Sequence, residues 1–191
     1  MNRLRWLIAL LMLSLGCWLT GIAPAADDKK DGKDESNSAK TFAKKASAAG
    51  LAEVNLSQLA VRFSRNPAVR QFAQRMVEDH TKANGELTTL ANRKSIALAE
   101  RMDEKHQKKF NELSKMSGSE FDAAFMQCMV MDHEEAVKLF ESASKNCDDK
   151  DLKAWAGNTL PTLKEHLEMA RGVAKKANPD KKEKSKDRSD K

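Results

Sequence analysis

The chain has 191 residues, enough for one ordinary domain and too few for two. It is 40% hydrophobic and 32% charged, with no tyrosine, 8 Gly and 4 Pro, a composition that favours helix over strand. Its net charge of +6 belongs to the two ends: Arg3 and Arg5 carry +2 and residues 175–191 carry +4, so the stretch between them is neutral and offers no basic face for nucleic acid.

Residues 1–25 read as a signal peptide. Arg3 and Arg5 supply the positive start, Trp6 to Leu15 an apolar run, and Ala23-Pro24-Ala25 an A-x-A cleavage site before Ala26. The expected address is exported, periplasmic or extracellular. Cys17 follows Ser14-Leu15-Gly16, which resembles a lipoprotein lipobox with Ser where Leu is usual. A lipid anchor on Cys17 therefore stays open as a second fate. Residues 26–38 (ADDKKDGKDESNS) form a polar linker with nothing to bury, expected to be disordered.

Four long helices and one short one follow, over 39–177. The first runs from about Ala39 to Ser64, with Phe42, Ala49, Leu56 and Phe63 recurring every seven residues. Asn66-Pro67 stops it and starts the second, because Asn caps a helix well and Pro suits the first helical position. The second runs to about Arg93, with Val69, Phe72, Met76, Ala83, Leu87 and Leu90 as its stripe. Ser95 to Ser117 connects the halves and holds a short helix from about Asp103 to Lys115. The third long helix begins near Ser119 and buries Phe121, Phe125, Met129, Ala136 and Phe140. The fourth runs from about Asp149 to Ala177, with Leu152, Trp155, Leu160, Leu163, Leu167, Ala170 and Val173 inward and a kink expected at Pro161. Residues 178–191 are a charged, disordered tail able to touch anionic envelope polymer. Two helical hairpins joined by a longer connection predict an all-α, antiparallel four-helix bundle of ferritin-like layout. Cys128 in mid-helix and Cys147 in the next turn lie beyond disulfide reach of each other.

Polar residues fall in phase with the apolar stripes: Glu53, His80, His133 and His166, one on each long helix. A carboxylate precedes each of these histidines, as Asp79, Asp132 and Glu165. His106, in the connector, shows no such pattern.

The runs GLAEVNLSQLAVRFSRNPAVRQFAQRMVEDHTKAN, FDAAFMQCMVMDHEEAVKLFE and LKAWAGNTLPTLKEHLEMA resemble an exported bacterial family, domain of unknown function 4142. The marks are Gly50-Leu51-Ala52-Glu53, the Met-x-x-Asp-His repeat at Met76 and Met129, and Leu160-Pro161 before His166. The resemblance covers about Ala39 to Val173. It implies a ferritin-like fold and export, and carries no activity.

A di-iron centre needs Glu-x-x-His pairs. Val77, Val130 and Leu163 stand three residues before the histidines, so that centre does not fit. A different metal site on Glu53, His80, His133 and His166 stays open, for iron or copper, with Asp79, Asp132, Glu165 and Cys128 as outer candidates. Helix rise puts Glu53 and His80 about 4 Å apart in height and His133 and His166 about 8 Å apart. Cys128 matches the height of His166 better, and Met126, Met129 and Met131 lie nearby, a soft donor set that suits copper. The alternative is a non-enzymatic cell-envelope or stress-related interaction module whose histidines fix bundle register. Nothing in the sequence marks an enzyme, and the oligomeric state stays open.

Overall fold

The computed structural model describes residues 38–177. The expected signal peptide, Cys17, the linker up to residue 37 and the tail 178–191 lie outside the described residues. Five helices occupy the rest: α1 (Ala39–Phe63), α2 (Pro67–Arg93), α3 (Glu104–Leu113), α4 (Gly118–Asn146) and α5 (Lys150–Ala177). No strand occurs among the described residues.

Side chains that take up free backbone amides set the helix starts. Ser38 Oγ accepts from the Thr41 amide at 3.2 Å, Asn66 Oδ1 from Ala68 at 3.0 Å, and Asp103 Oδ1 from His106 at 2.9 Å. Asp149 Oδ1 accepts from both Asp151 and Leu152 at 3.0 Å. Pro67 occupies the first turn of α2, where no intrahelical donor is lost. Gly118 opens α4 with φ +61°, a left-handed conformation that a Cβ would strain. Pro161 lies inside α5, which runs on through it.

α1 packs on α2 and α4, and α5 packs on α4 and α2, so α1 lies diagonal to α5 and α2 diagonal to α4. The residues that meet fix the directions. Phe42 and Leu87 meet Phe140 and Trp155 at one end, while Leu59 and Val69 meet Phe121 and Ala170 at the other. α2 and α4 therefore run parallel, and the connector must travel the length of the bundle to join them. It does so: Ile96 and Leu98 pack at the first end, Phe110, Leu113 and Met116 at the second. This is the layout of a bundle with one long crossover rather than of an up-down-up-down bundle.

The apolar stripes are buried largely as their periodicity requires, with one departure. Phe63, the last residue of α1, is 43% exposed and only tilts against Phe121 at 6.2 Å. The stripe has run out of helix to cover it. Gly50 faces α2, where a Cβ would collide with the Asn84 side chain, so the two backbones of the first hairpin approach closely there. Cys128 and Cys147 are both free and buried, one in each apolar cluster.

Phe125 is fully buried and stacked on Phe121, with ring centroids 6.0 Å apart and planes 3° from parallel. Phe125→Ala should lower the unfolding free energy by about 3–5 kcal/mol, measured by urea titration with circular dichroism.

Candidate metal centre

The two apolar clusters are separated by a layer of polar side chains at mid-bundle. His80 comes from α2, His133 from α4 and His166 from α5; all three are buried, His133 and His166 almost completely. Their ring centroids form a nearly regular triangle with sides of 5.3, 5.5 and 5.5 Å. Each ring offers one nitrogen to the centre, and these nitrogens lie within 4.8 Å of one another.

The height difference expected between His133 and His166 is closed by side-chain direction. A helical side chain leans toward its own N-terminus. In antiparallel α4 and α5 the two imidazoles lean toward each other's level.

The outward nitrogens are held. His133 Nδ1 donates to the Met129 carbonyl at 2.8 Å, and His166 Nε2 donates to Asp79 Oδ2 at 2.8 Å. Those bonds fix the tautomers and leave His133 Nε2 and His166 Nδ1 with lone pairs. Both of those atoms, together with His80 Nε2, are buried and have no hydrogen-bond partner. Burial, which penalises the charged form, lowers the pKa of all three histidines, and their mutual repulsion adds to the effect at His80 and His166. The three rings are therefore neutral at neutral pH, the state in which imidazole binds a metal.

Asp79 is itself anchored. Arg75 Nε lies 3.3 Å from Asp79 Oδ2, and Arg75 Nη2 lies 3.0 Å from Glu165 Oε1. Partial burial works to raise the Asp79 pKa, but the hydrogen bonds from His166 and Arg75 outweigh it and hold the carboxyl below its usual value. Glu165 sits at the surface on Arg75, away from the triangle.

Glu53, expected as the fourth ligand, is outside the triangle. Its Oε1 lies 3.6 Å from His133 Nδ1, the nitrogen already turned to Met129, and its Oε2 is buried without a partner. Burial first, and then the charge of Asp132, raise its pKa well above the usual value. The soft donor set does not assemble either. Cys128 Sγ donates to Asp132 Oδ2 at 3.0 Å, and burial pushes the thiol pKa up. Met126 and Met129 are core residues, and Met131 is 42% exposed.

Asp132 belongs to a second polar group, which brings in His106 from the crossover helix. His106 is buried; its Nε2 lies 3.5 Å from Asp132 Oδ1 and its Nδ1 2.8 Å from Asp103 Oδ1. The Asp132 and Asp103 carboxylates overcome the cost of burial and raise its pKa to about 9. Lys105 adds a contact of 3.7 Å to Asp132 Oδ1 and binds Glu135 at 2.7 Å. His106 is thus a buried cation, whereas the other three histidines are buried neutral. Sequence periodicity missed it because α3 is short. The one available signal was Asp103 three residues ahead, in the N-cap position.

The model of one family, the domain of unknown function DUF4142, matches residues 24–173, and the chain belongs to that family. No curated protein matches it. Solved structures that share the fold include two DUF305 proteins. A DUF305 fragment from Deinococcus radiodurans is 14% identical with a TM-score of 0.64, covering 72% of this chain and 95% of that one. A DUF305 protein from Streptomyces coelicolor, named as a candidate secreted protein, is 13% identical with a TM-score of 0.64, covering 75% of this chain and 94% of that one. No helix among the described residues is long and apolar enough to cross a membrane.

The His106 pair makes stability pH-dependent. Its folded pKa of about 9 lies above the ordinary 6.5, so the folded chain keeps a proton that the unfolded chain releases. The stabilisation is complete below pH 6.5 and is lost as pH rises to about 9. The stability gap between wild type and His106→Gln should therefore shrink by up to about 3 kcal/mol between pH 6 and pH 9.5. Denaturant titrations at both pH values measure it, and a constant gap would contradict the ion pair.

Proposed function

We propose that this DUF4142 member is an exported helical bundle that holds one transition-metal ion on His80, His133 and His166. One observation carries the reading: three imidazole nitrogens, buried and unpartnered, gather at the centre of an apolar bundle. A buried polar atom without a partner costs about 1–3 kcal/mol, and histidines kept only for bundle register would be expected to satisfy one another. Here His133 Nε2 and His166 Nδ1 offer lone pairs beside the unpartnered His80 Nε2. Hydrogen bonding of the far nitrogen to a carboxylate or carbonyl is the usual outer arrangement of metal-bound histidine, and His166 with Asp79 and His133 with Met129 both have it.

Metal–imidazole bonds of about 2.0–2.1 Å put the donor nitrogens of a four-coordinate site roughly 3.4 Å apart. The donor nitrogens, within 4.8 Å of one another, would draw closer by about an ångström on binding. A donor set of imidazole alone favours copper or zinc. Iron in helical bundles draws on inward glutamates, and Glu53 lies behind His133. Three protein ligands leave a fourth position open. Export is supported by the signal-peptide pattern of residues 1–25.

Chain purified from the exported fraction without chelators should carry about one copper or zinc per molecule by elemental analysis. His80→Ala, His133→Ala and His166→Ala should each abolish that occupancy while keeping the helical circular dichroism. Asp79→Asn should weaken binding by about 10–100-fold. An ion at 100 times its Kd should stabilise the fold by about 2.7 kcal/mol. Because burial lowers the three imidazole pKa values, occupancy should persist below pH 6.5, where exposed histidine sites release metal. A folded chain that takes up neither copper nor zinc at micromolar concentration would overturn the reading.

A further inference from the structure

A cavity of about 1070 Å³ opens beside the histidines. It follows α1 from Thr41 to Glu53 and is roofed by the crossing segment 98–103. At the helical rise of 1.5 Å per residue its length along α1 is about 18 Å. That volume is at the upper end of what small-molecule sites usually have, about 300–1,000 Å³. A single metal ion leaves it empty.

Most of the lining surface is apolar, with Ala46, Ala49, Ala83, Leu98, Ala136 and Leu139 on the long walls, and Lys44, Lys45, Glu100, Arg101, Asp132 and Glu135 also line it. The unmatched polar atoms gather at one end: Glu53 Oε2, His80 Nε2 and His166 Nδ1 are all buried without partners on residues that line the cavity. Phe140 and Trp155 line the opposite end. An elongated apolar space with hydrogen-bonding and metal-binding capacity at one end is complementary to a linear amphiphile. A compact polar molecule would leave the walls uncovered, and a single flat ring would fill only part of the length.

We propose that the cavity binds a linear aliphatic carboxylic acid, with its hydrocarbon chain along α1 and its carboxyl head at the Glu53–His80–His166 end. The head contact rests on the metal reading, since a carboxyl oxygen fits the open fourth position of a three-histidine site. The chain contact does not depend on it.

Saturated fatty acids from octanoate to palmitate, kept below their micellar concentrations, are the probes. They are titrated by calorimetry into the full exported chain, both metal-loaded and chelator-stripped. Trp155 provides a second readout, because the other two tryptophans, Trp6 and Trp18, lie in the expected signal peptide. One molecule should bind per chain. Affinity should rise about fourfold per methylene and level off once the cavity is filled. The metal-loaded form should bind at least tenfold more tightly. Ala49→Phe and Thr159→Phe, which fill the cavity away from the histidines, should each weaken binding at least tenfold with metal stoichiometry unchanged. Absence of saturable binding in both metal states would overturn the proposal, as would equal binding by both cavity-filling variants. Metal uptake without fatty-acid binding would end this proposal and leave the metal reading intact. Cavity binding by a chain that takes up no metal would uphold the chain contact and end the metal reading.

Discussion

Three buried imidazole nitrogens without hydrogen-bond partners at mid-bundle are the constraint on which the rest of this structure turns. Apolar clusters flank them on both sides along the bundle, a cavity opens beside two of them, and no neighbouring side chain answers them. Leaving such atoms unmatched is costly, at about 1–3 kcal/mol each. The surroundings are arranged to maintain the condition rather than relieve it. Asp79 and the Met129 carbonyl take the outward nitrogens, which prevents His166 and His133 from turning to use their inner ones. Arg75 in turn holds Asp79, so the order imposed on His166 begins at the surface.

The crossover gives the molecule a second, opposite electrostatic environment a short distance away. α3 brings His106 against Asp132, whose sequence neighbour His133 is in the triangle. Two adjacent residues of α4 thus face two histidine environments, one that favours the proton and one that excludes it. The cause is helix geometry. Neighbouring residues are separated by about 100° around the axis, so i and i+1 do not share a face.

The same geometry decides what the sequence could reveal. Helix boundaries were legible because Ser38, Asn66, Asp103 and Asp149 do local work that depends on the next three residues alone. The inward facing of the three histidines was legible, because each followed its own apolar stripe, but their common level was not, since helix rise alone puts His133 and His166 about 8 Å apart. The partnerships were not legible. The carboxylates that precede the three histidines were candidates for the outer part of a metal site, yet Asp79 serves His166, Asp132 serves His106, and Glu165 serves Arg75. Those pairings depend on rotation of one helix against another, which no single stripe records. Glu53 shares the layer but sits behind His133 for the same reason: α1 borders α4 and α2, and lies diagonal to α5.

The parallel run of α2 and α4 has a consequence for how the chain assembles. Each hairpin closes through a tight turn, at 64–66 and 147–149, so its contacts are local and fast to form. Docking of one hairpin on the other joins residues separated by segment 94–117, contacts that cost more loop-closure entropy than those within a hairpin. The triangle straddles that interface, with His80 on the first hairpin and His133 and His166 on the second. A group that satisfied the three nitrogens would therefore bridge the two hairpins, and its loss would loosen a joint rather than a helix.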